Sequence, residues 1–235
     1  MVKKLTSLSL FFPAYYDENT VEALARSCVK VARSLTDDFE VIIIDDKSPD
    51  KTGEIADRLA REIPQIRVIH HSHNKGVGEA MLTGYTDSKK DYVFYTDGDA
   101  QYDVRELPLL AERAAESDLV IGYRLKRAEG FRRIFTSRCF HFLIWIFFGI
   151  HFKDMDCSFK LMHRRVLEKI RFYTRSGLID AEMLIQAKKL KVPIIEVGVH
   201  HYNRKFGSSR CLRMSLVLTM LRDIVRLRLK LWGIG

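Results

Sequence analysis

The sequence predicts an α/β fold in which helices flank a mostly parallel β-sheet. In the first 122 residues, short apolar segments alternate with amphipathic segments at the spacing of β-α-β units, which pair parallel strands. The segment EVIIIDD at residues 40–46 is apolar up to its two aspartates, as is typical of a strand that helices cover on both faces. The length of 235 residues suits one large core with at most a small appendage.

The elements follow from the period of the apolar residues along the chain. In the first half, strands are predicted over residues 5–13, 40–46, 66–71, 91–97 and 117–123, and helices over 18–35, 48–63, 76–88 and 105–116. In the second half, the predicted elements are a long apolar helix within 134–150, a short strand with a helix over 154–170, a helix over 178–191, a strand over 192–202 and a helix over 211–232.

Charge is distributed unevenly between the two halves of the chain. Residues 1–100 carry 13 Lys and Arg against 17 Asp and Glu, whereas residues 101–235 carry 26 against 13. A basic half indicates an anionic partner, which could be nucleic acid, phosphate groups or a membrane surface. The four cysteines are far apart in the sequence, which excludes a Cys-x-x-Cys zinc site and indicates a reducing, cytoplasmic compartment.

No segment has the length of a membrane span. The longest apolar run, at residues 139–150, has 12 residues, and a span requires about 20. The N-terminal apolar run is interrupted by Pro13 and lacks a cleavage site, so a first strand is expected rather than a signal peptide. The tail helix has cations at Arg222, Arg226 and Lys230, on the side opposite Ile224 and its apolar neighbours.

Acidic residues follow three of the predicted strands. Asp17 comes after the first strand, Asp46 after the second, and Asp97 and Asp99 after the fourth. Ligands of open parallel sheets bind beyond the carboxyl ends of the strands. Carboxylates that meet at one edge repel one another unless a cation compensates, and hard oxygen ligands suit Mg²⁺ or Mn²⁺. A divalent metal site is therefore predicted at this edge.

Phosphate groups are the expected partners of the basic half. The segment after the third strand, GVGEAMLTGY, has Gly76 and Gly78 but Met81 where the dinucleotide-binding fingerprint needs its third glycine, which argues against an oxidoreductase. Arginine binds phosphates bidentately. The arginines that could do so here are Arg124, Arg132, Arg133, Arg204 and Arg210.

Seven short motifs together carry a family resemblance. In chain order they are PAYYDE, VIIIDDKSPDKT, DGDAQ, GYR, RRIFTS, DMDCSFKLMHR and RKFGSSR. In order and spacing, over about residues 7–212, they resemble the family 2 glycosyltransferases of GT-A fold. The likeness is strongest to the dolichyl-phosphate mannose synthase type and its bacterial polyprenyl-phosphate relatives. One departure is Asp17, which stands where the family has Glu.

The resemblance implies a role for each matched residue. Those that would bind the nucleotide part of the donor are Pro13, Tyr15, Asp17, Ile44 and Asp46. Those that would approach the sugar or hold Mg²⁺ or Mn²⁺ are Asp97, Gly98, Asp99 and Gln101, with Asp97, Asp99 and Gln101 as metal ligands. Those that would lie near the acceptor or the donor diphosphate are Arg124, Arg133, Arg204 and Arg210.

By this resemblance, the expected activity is an inverting transfer of sugar from a UDP- or GDP-linked donor to a polyprenyl phosphate. Two alternatives remain. One is transfer to a sugar hydroxyl, for which Asp180 or Glu182 would be the base, although Asp180 could equally be a carboxylate that stabilises a helix N-terminus. The other is a module without catalysis that binds nucleotide sugar or nucleic acid, which the intact motifs disfavour.

The resemblance also implies a domain plan and a location. A GT-A domain is expected over residues 1–208, and residues 209–235 would form an amphipathic helix that lies on a membrane or packs on the domain or on a second subunit. The enzyme is expected at the cytoplasmic face of an anionic membrane, with no nucleic acid partner. A homo-oligomer or a small membrane subunit is compatible with this plan. Either the natural chain continues into transmembrane helices beyond Gly235, or the protein is held peripherally.

Overall fold

The computed structural model describes residues 5–126, 131–204 and 214–231, and the side chains of residues 131–135 and 214–218 fall outside that description. The strands are β1 (Leu8–Ala14), β2 (Phe39–Asp45), β3 (Ile66–His70), β4 (Tyr92–Thr96), β5 (Leu119–Arg124), β6 (Phe159–His163) and β7 (Ile194–Val199). The helices are α1 (Val21–Leu35), α2 (Thr52–Glu62), α3 (Val77–Asp87), α4 (Leu107–Arg113), α5 (Phe131–Phe148), α6 (Arg164–Leu167), α7 (Ile179–Lys189) and α8 (Met214–Leu231).

The seven strands form one sheet in the order β3-β2-β1-β4-β6-β5-β7. Neighbours are parallel except at β6, which runs antiparallel to both β4 and β5. The predicted mostly parallel sheet is confirmed. The strand order reverses between β1 and β4, and in open α/β sheets a ligand crevice lies outside the carboxyl ends of the strands at such a point.

The core has two layers, one on each face of the sheet. Along β1, Leu10 and Phe12 point to the layer that contains α1, α2 and α4, whereas Phe11 points to the layer that contains α3, α5, α7 and α8. This alternation follows from the two-residue period of a strand. Ile224 and Leu227 of α8 are fully buried in the second layer, so the tail helix packs on the domain.

Two details differ from the sequence-based expectation. The helix predicted over 105–116 is a short 3₁₀ turn at Val104–Glu106 followed by α4, which ends at Arg113. The helical period places Leu221 on the apolar side of the tail helix together with Ile224, but Leu221 is 40% exposed. The helix therefore buries a narrower stripe than its composition indicates, because only part of its apolar surface meets the domain.

Gly84 allows α3 to lie directly against β1. A Cβ atom at this position would be 2.1 Å from the ring of Phe11, which is fully buried. We expect Gly84→Ala to lower the free energy of unfolding by about 1–3 kcal/mol, the usual cost of overpacking a core. Chemical denaturation measures this change. Gly177→Ala is the control, because its Cβ would meet no atom within 4 Å. Equal midpoints for the two variants would contradict the expectation.

Candidate active site

The loop after β4 is pressed against the end of β1. A Cβ atom on Gly98 would lie 2.2 Å from the carbonyl oxygen of Pro13, so only glycine permits this approach. The hydroxyl of Thr20 donates a hydrogen bond to the carbonyl of Gly98 at 3.1 Å. These contacts bring the loop residues Asp97 and Asp99 next to Asp17, as the strand-end argument predicted.

Asp17, Asp97 and Asp99 form an acidic cluster at this edge of the sheet. Burial, together with the charge of Asp97, raises the pKa of Asp17 to about 6, although the Tyr15 N–H and Arg204 act in the opposite direction. Burial and Asp97 likewise raise the pKa of Asp99 to about 6, against the effect of Arg204. The cluster therefore holds more negative charge than its protein surroundings neutralise.

The main counter-charge among the described residues is Arg204, whose guanidinium contacts the Asp99 carboxylate. The segment that carries Arg204 is held by hydrogen bonds to the loop after β4. Gln101 Nε2 donates to the carbonyl of Tyr202 at 2.9 Å, and the Tyr202 N–H donates to the carbonyl of Gln101 at 2.8 Å. Because the side-chain nitrogen of Gln101 is hydrogen-bonded to Tyr202, its side-chain oxygen remains available to bind a metal ion.

The donor set at this cluster fits a divalent cation. Asp97, Asp99 and Gln101 supply oxygen atoms only, and Asp17 adds a further carboxylate beside them. Mg²⁺ and Mn²⁺ prefer oxygen ligands, and a cation would relieve the repulsion that raises the carboxyl pKa values. The residues present therefore suit either of the two predicted metals.

The side chains of two predicted nucleotide-binding residues point into the protein interior. The side chain of Ile44 is fully buried in the core. Asp46 is also buried, and its carboxylate accepts hydrogen bonds from the N–H groups of Lys75 and Gly76, both at 2.8 Å. Its Oδ1 atom also lies 2.6 Å from His71 Nδ1. Asp46 therefore holds the loop that leads into α3, whereas Pro13, Tyr15 and Asp17 are partly exposed at the end of β1.

A cavity of about 390 Å³ adjoins the acidic cluster. Its polar side includes Asp97, Gln101, Arg124, Asp156 and Asp180. Its apolar side is formed by α3, α5 and α8, with Val77, Met81, Phe140, Leu143, Leu221 and Ile224. The volume lies in the range of small-molecule sites, about 300–1,000 Å³. A ligand with one charged end and one apolar end would match the two sides.

Arg124 is held in the cavity wall by Asp154. Its Nε donates to Asp154 Oδ2 at 2.6 Å and its Nη2 to Oδ1 at 2.7 Å, and both side chains are buried. Ligand atoms of His141, Asp154 and Asp156 lie within 4.8 Å of one another, an arrangement that could hold a metal ion. One of these three ligands is an imidazole nitrogen, whereas the cluster at Asp99 offers only oxygen atoms, which suit Mg²⁺ and Mn²⁺ better.

Asp180 lies at the start of α7 and faces the cavity. Lys160 Nζ, which is fully buried, donates to Asp180 Oδ1 at 2.8 Å and to the carbonyl of Cys157 at 2.5 Å. Burial raises the pKa of Asp180 to about 6, with Lys160 opposing the shift and Asp97 and Asp156 adding to it. A carboxyl group with this pKa is mostly deprotonated at neutral pH and can accept a proton.

The sequence-based reading missed four residues that shape the site, namely Asp154, Asp156, Lys160 and His141. One signal was available, because Lys160 is a single charge inside the apolar strand FKLMH and such a charge requires a buried partner. Of the predicted arginines, Arg210 lies outside the described residues, as do the side chains of Arg132 and Arg133.

Comparison with known proteins supplies further evidence. The profile of the family described as Glycosyl transferase family 2 matches residues 9–171. Glycosyltransferase AglD of Haloferax volcanii is 33% identical over 82% of this chain and 32% of its own length. An undecaprenyl-phosphate 4-deoxy-4-formamido-L-arabinose transferase of Yersinia enterocolitica is 27% identical, over 93% of this chain and 66% of its own length. The dolichyl-phosphate beta-glucosyltransferase of Drosophila melanogaster is 28% identical, over 82% of this chain and 66% of its own length. The chain thus spans between one third and two thirds of the length of these relatives.

Solved structures resemble the whole chain. Glucosyl-3-phosphoglycerate synthase of Mycobacterium tuberculosis, in complex with Mn²⁺, UDP and glucosyl-3-phosphoglycerate, superposes with a TM-score of 0.73 at 19% identity, over 98% of this chain and 81% of that one. Mannosyl-3-phosphoglycerate synthase of Rubrobacter xylanophilus gives a TM-score of 0.74 at 17% identity, over 97% of this chain and 75% of that one. At these identities the likeness concerns the fold, and it confirms the predicted GT-A architecture.

Proposed function

The chain belongs to glycosyl transferase family 2, and on that premise we propose that it transfers a sugar from a nucleotide-sugar donor to a polyprenyl phosphate. Two of the relatives are named for lipid phosphates, undecaprenyl phosphate in one case and dolichyl phosphate in the other. The observation that carries the proposal is the lining of the cavity, which combines apolar residues of α3, α5 and α8 with polar groups such as Asp97 and Arg124. A lipid phosphate has the same two-part character.

On the donor side, Asp97, Asp99 and Gln101 would hold Mg²⁺ or Mn²⁺, which when bound neutralises charge on the leaving diphosphate. Arg204 lies beside Asp99 and is proposed to bind the diphosphate through its guanidinium, with Arg210 as a second cation. The fixed pairing of Gln101 with Tyr202 keeps Arg204 at this point of the loop, so little reorganisation is needed before the reaction.

On the acceptor side, the nucleophile would be an oxygen of the lipid phosphate, which is already anionic and needs no base. It attacks C1 of the sugar as the bond from C1 to the diphosphate oxygen breaks, and the nucleoside diphosphate leaves with the electron pair. A single displacement inverts C1, so an α-linked donor gives a β-linked product. Arg124, positioned by Asp154, and Arg133 are proposed to orient the phosphate.

Transfer to a hydroxyl is the second candidate function, and the state of Asp180 favours it. This carboxylate lines the cavity with a pKa of about 6, so at neutral pH it can accept the proton that a hydroxyl must lose. Under this alternative, Asp180→Asn abolishes transfer. Under the lipid-phosphate proposal, the same variant retains transfer, because no proton is removed from the nucleophile.

The experiment that tests the proposal is a transfer assay with polyprenyl phosphate. The purified protein is incubated with Mg²⁺ or Mn²⁺ and a panel of labelled UDP- and GDP-sugars, and label is counted in the organic phase. We expect metal-dependent label in the lipid with one or a few donors, which also identifies the donor. Binding of nucleotide sugar without labelled lipid would direct the search to hydroxyl acceptors and to Asp180.

We also propose that the protein binds peripherally to the cytoplasmic face of an anionic membrane. Within the described ranges, no helix is both long and apolar enough to cross a bilayer. On α8 an exposed apolar row runs beside an exposed cationic row, and α5 exposes a further apolar group. The first row is Leu221, Val225 and Leu229, the second is Arg222, Arg226 and Lys230, and the α5 group is Phe142, Trp145 and Ile146.

Reversing two of these charges is expected to weaken membrane binding. Each cation near an anionic surface contributes about 1 kcal/mol, so losing two costs about 2 kcal/mol, and the repulsion of the two new carboxylates adds to this, which gives a loss of at least about 30-fold in affinity. The measurement is flotation of R222E/R226E with vesicles of phosphatidylcholine alone or mixed with phosphatidylglycerol. The control, K30E/R33E, makes the same charge change on exposed residues of α1, across the sheet. Equal binding of both variants to the mixed vesicles would contradict this surface.

A further inference from the structure

Asp156 lies in the cavity wall and has no place in the proposed displacement. Two donors from α5 meet one of its oxygens. Ser137 Oγ donates to Asp156 Oδ2 at 2.6 Å, and His141 Nε2 lies 3.1 Å from the same atom. Oδ1 has no hydrogen bond from any residue that the structure describes, and the side chain is 32% exposed, toward the cavity.

The surroundings of Asp156 keep it ionised. Burial raises its pKa, but the hydrogen bonds from His141 and Ser137 and the charge of Arg124 outweigh that effect, so the pKa lies below its ordinary value. Asp180, in the same cavity, has its pKa raised. Two carboxyl groups in one site with opposite shifts usually have different tasks. Asp180 can exchange a proton near neutral pH, whereas Asp156 stays ionised there and accepts hydrogen bonds.

Under the proposed function, the cavity that Asp156 lines would receive the sugar part of the donor. The diphosphate is proposed to lie at Asp99 and Arg204, and the sugar is the next group along the molecule. Asp97 and Gln101 belong to the same loop as Asp99 and also line the cavity, so the cavity adjoins the loop at which the diphosphate is proposed to bind. His141 lines a different pocket, together with Arg138 and Trp145, and it is not among the residues that line this cavity.

We propose that Oδ1 of Asp156 accepts hydrogen bonds from hydroxyl groups of the transferred sugar and thereby takes part in selecting the donor. Ser137 and His141 are positioning residues that fix the carboxylate. This inference rests on the proposed function, because it requires a nucleotide-sugar donor. A carboxylate suits the task, since hydrogen bonds to a charged acceptor are about twice as strong as neutral ones and sugar hydroxyls are good donors.

The test compares wild type with Asp156→Ala on the parent donor and on analogues that each lack one sugar hydroxyl. We expect wild type to lose about 10- to 100-fold in kcat/KM for the analogue without the hydroxyl that Asp156 binds, the usual effect of a hydrogen bond to a charged group. In Asp156→Ala that discrimination falls to near unity, while the parent donor loses the same factor. Affinity for the nucleoside diphosphate alone, measured by calorimetry, stays unchanged.

Each other outcome overturns the inference in a recognisable way. If Asp156→Ala lowers kcat/KM equally for the parent and every analogue, the residue has only a structural role. Asp156→Asn preserves the shape of the side chain and removes its charge, so an unchanged preference in this folded variant would also overturn the inference. If wild type binds nucleotide sugars and transfers them while neither variant alters the preference, only this inference fails. If wild type binds no nucleotide sugar, the proposed function fails with it.

Discussion

Replacing Asp99 with alanine is expected to reduce sugar transfer by about 10³-fold. A metal ion that stabilises charge in the transition state contributes several kcal/mol, and about 4 kcal/mol corresponds to this factor in rate. Asp99 is the carboxylate that Arg204 contacts, and it is one of the two members of the acidic cluster whose pKa is raised to about 6, so it lies where negative charge is concentrated. The measurement is the initial rate of transfer at saturating donor concentration. Metal affinity is measured separately by electron paramagnetic resonance of Mn²⁺.

A matched control is available on the same loop. Asp103 is four residues away, and its carboxylate pairs with Arg105 rather than with the acidic cluster. Asp103→Ala is expected to lower stability slightly, since Asp103 caps the following 3₁₀ turn, and to leave the rate of transfer and Mn²⁺ affinity near those of wild type. Equal rates for Asp99→Ala and wild type would show that the metal is not bound at this cluster.

Lys160→Met is expected to cost about 3–5 kcal/mol of unfolding free energy at pH 8, the usual effect of removing one partner of a buried ion pair. Lys160 is fully buried and its ammonium group donates to Asp180 at 2.8 Å. Without it, the Asp180 carboxylate would be buried and unpaired. The double variant K160M/D180N is expected to recover much of the loss, because it removes both charges together.

The cost of Lys160→Met is expected to depend on pH. Burial raises the pKa of Asp180 from 3.8 to about 6, so in that interval the folded state holds a proton that the unfolded chain releases, and stability falls as pH rises through it. Lys160 opposes this shift, so its removal raises the pKa further and extends the fall to higher pH. Chemical denaturation of wild type and Lys160→Met should show a smaller loss of unfolding free energy at pH 5 than at pH 8. The same loss at both values would contradict the ion-pair account.

Most of the fold could be predicted because it depends on local periodicity. The alternation of strands and helices in the first half follows from runs such as EVIIIDD, and the strand order places Asp17, Asp97 and Asp99 at one edge. The antiparallel direction of β6 could not be predicted in this way. Its direction is set by pairing with β4 and β5, which are distant in the sequence, rather than by its own five residues.

The pairing of charged residues inside the site could not be predicted from the sequence for a related reason. The partners of Asp154, Asp156 and Asp180 lie 15 to 30 positions away, and no local pattern specifies which charges meet. Ile44 shows the converse, because its motif suggests a nucleotide contact while its side chain belongs to the core. A motif identifies a segment near a site, but burial determines which atoms of that segment a ligand can reach.

The most direct test of the account is a comparison of three acceptors at matched concentration, with the donor that wild type prefers. The acceptors are a polyprenyl phosphate, the corresponding polyprenol and a free sugar, each tested with wild type and with Asp180→Asn. The account predicts rapid transfer to the lipid phosphate alone, a β-linked product from an α-linked donor, and transfer that survives in Asp180→Asn. Transfer to the sugar hydroxyl that is lost in Asp180→Asn, with none to the lipid phosphate, would contradict it.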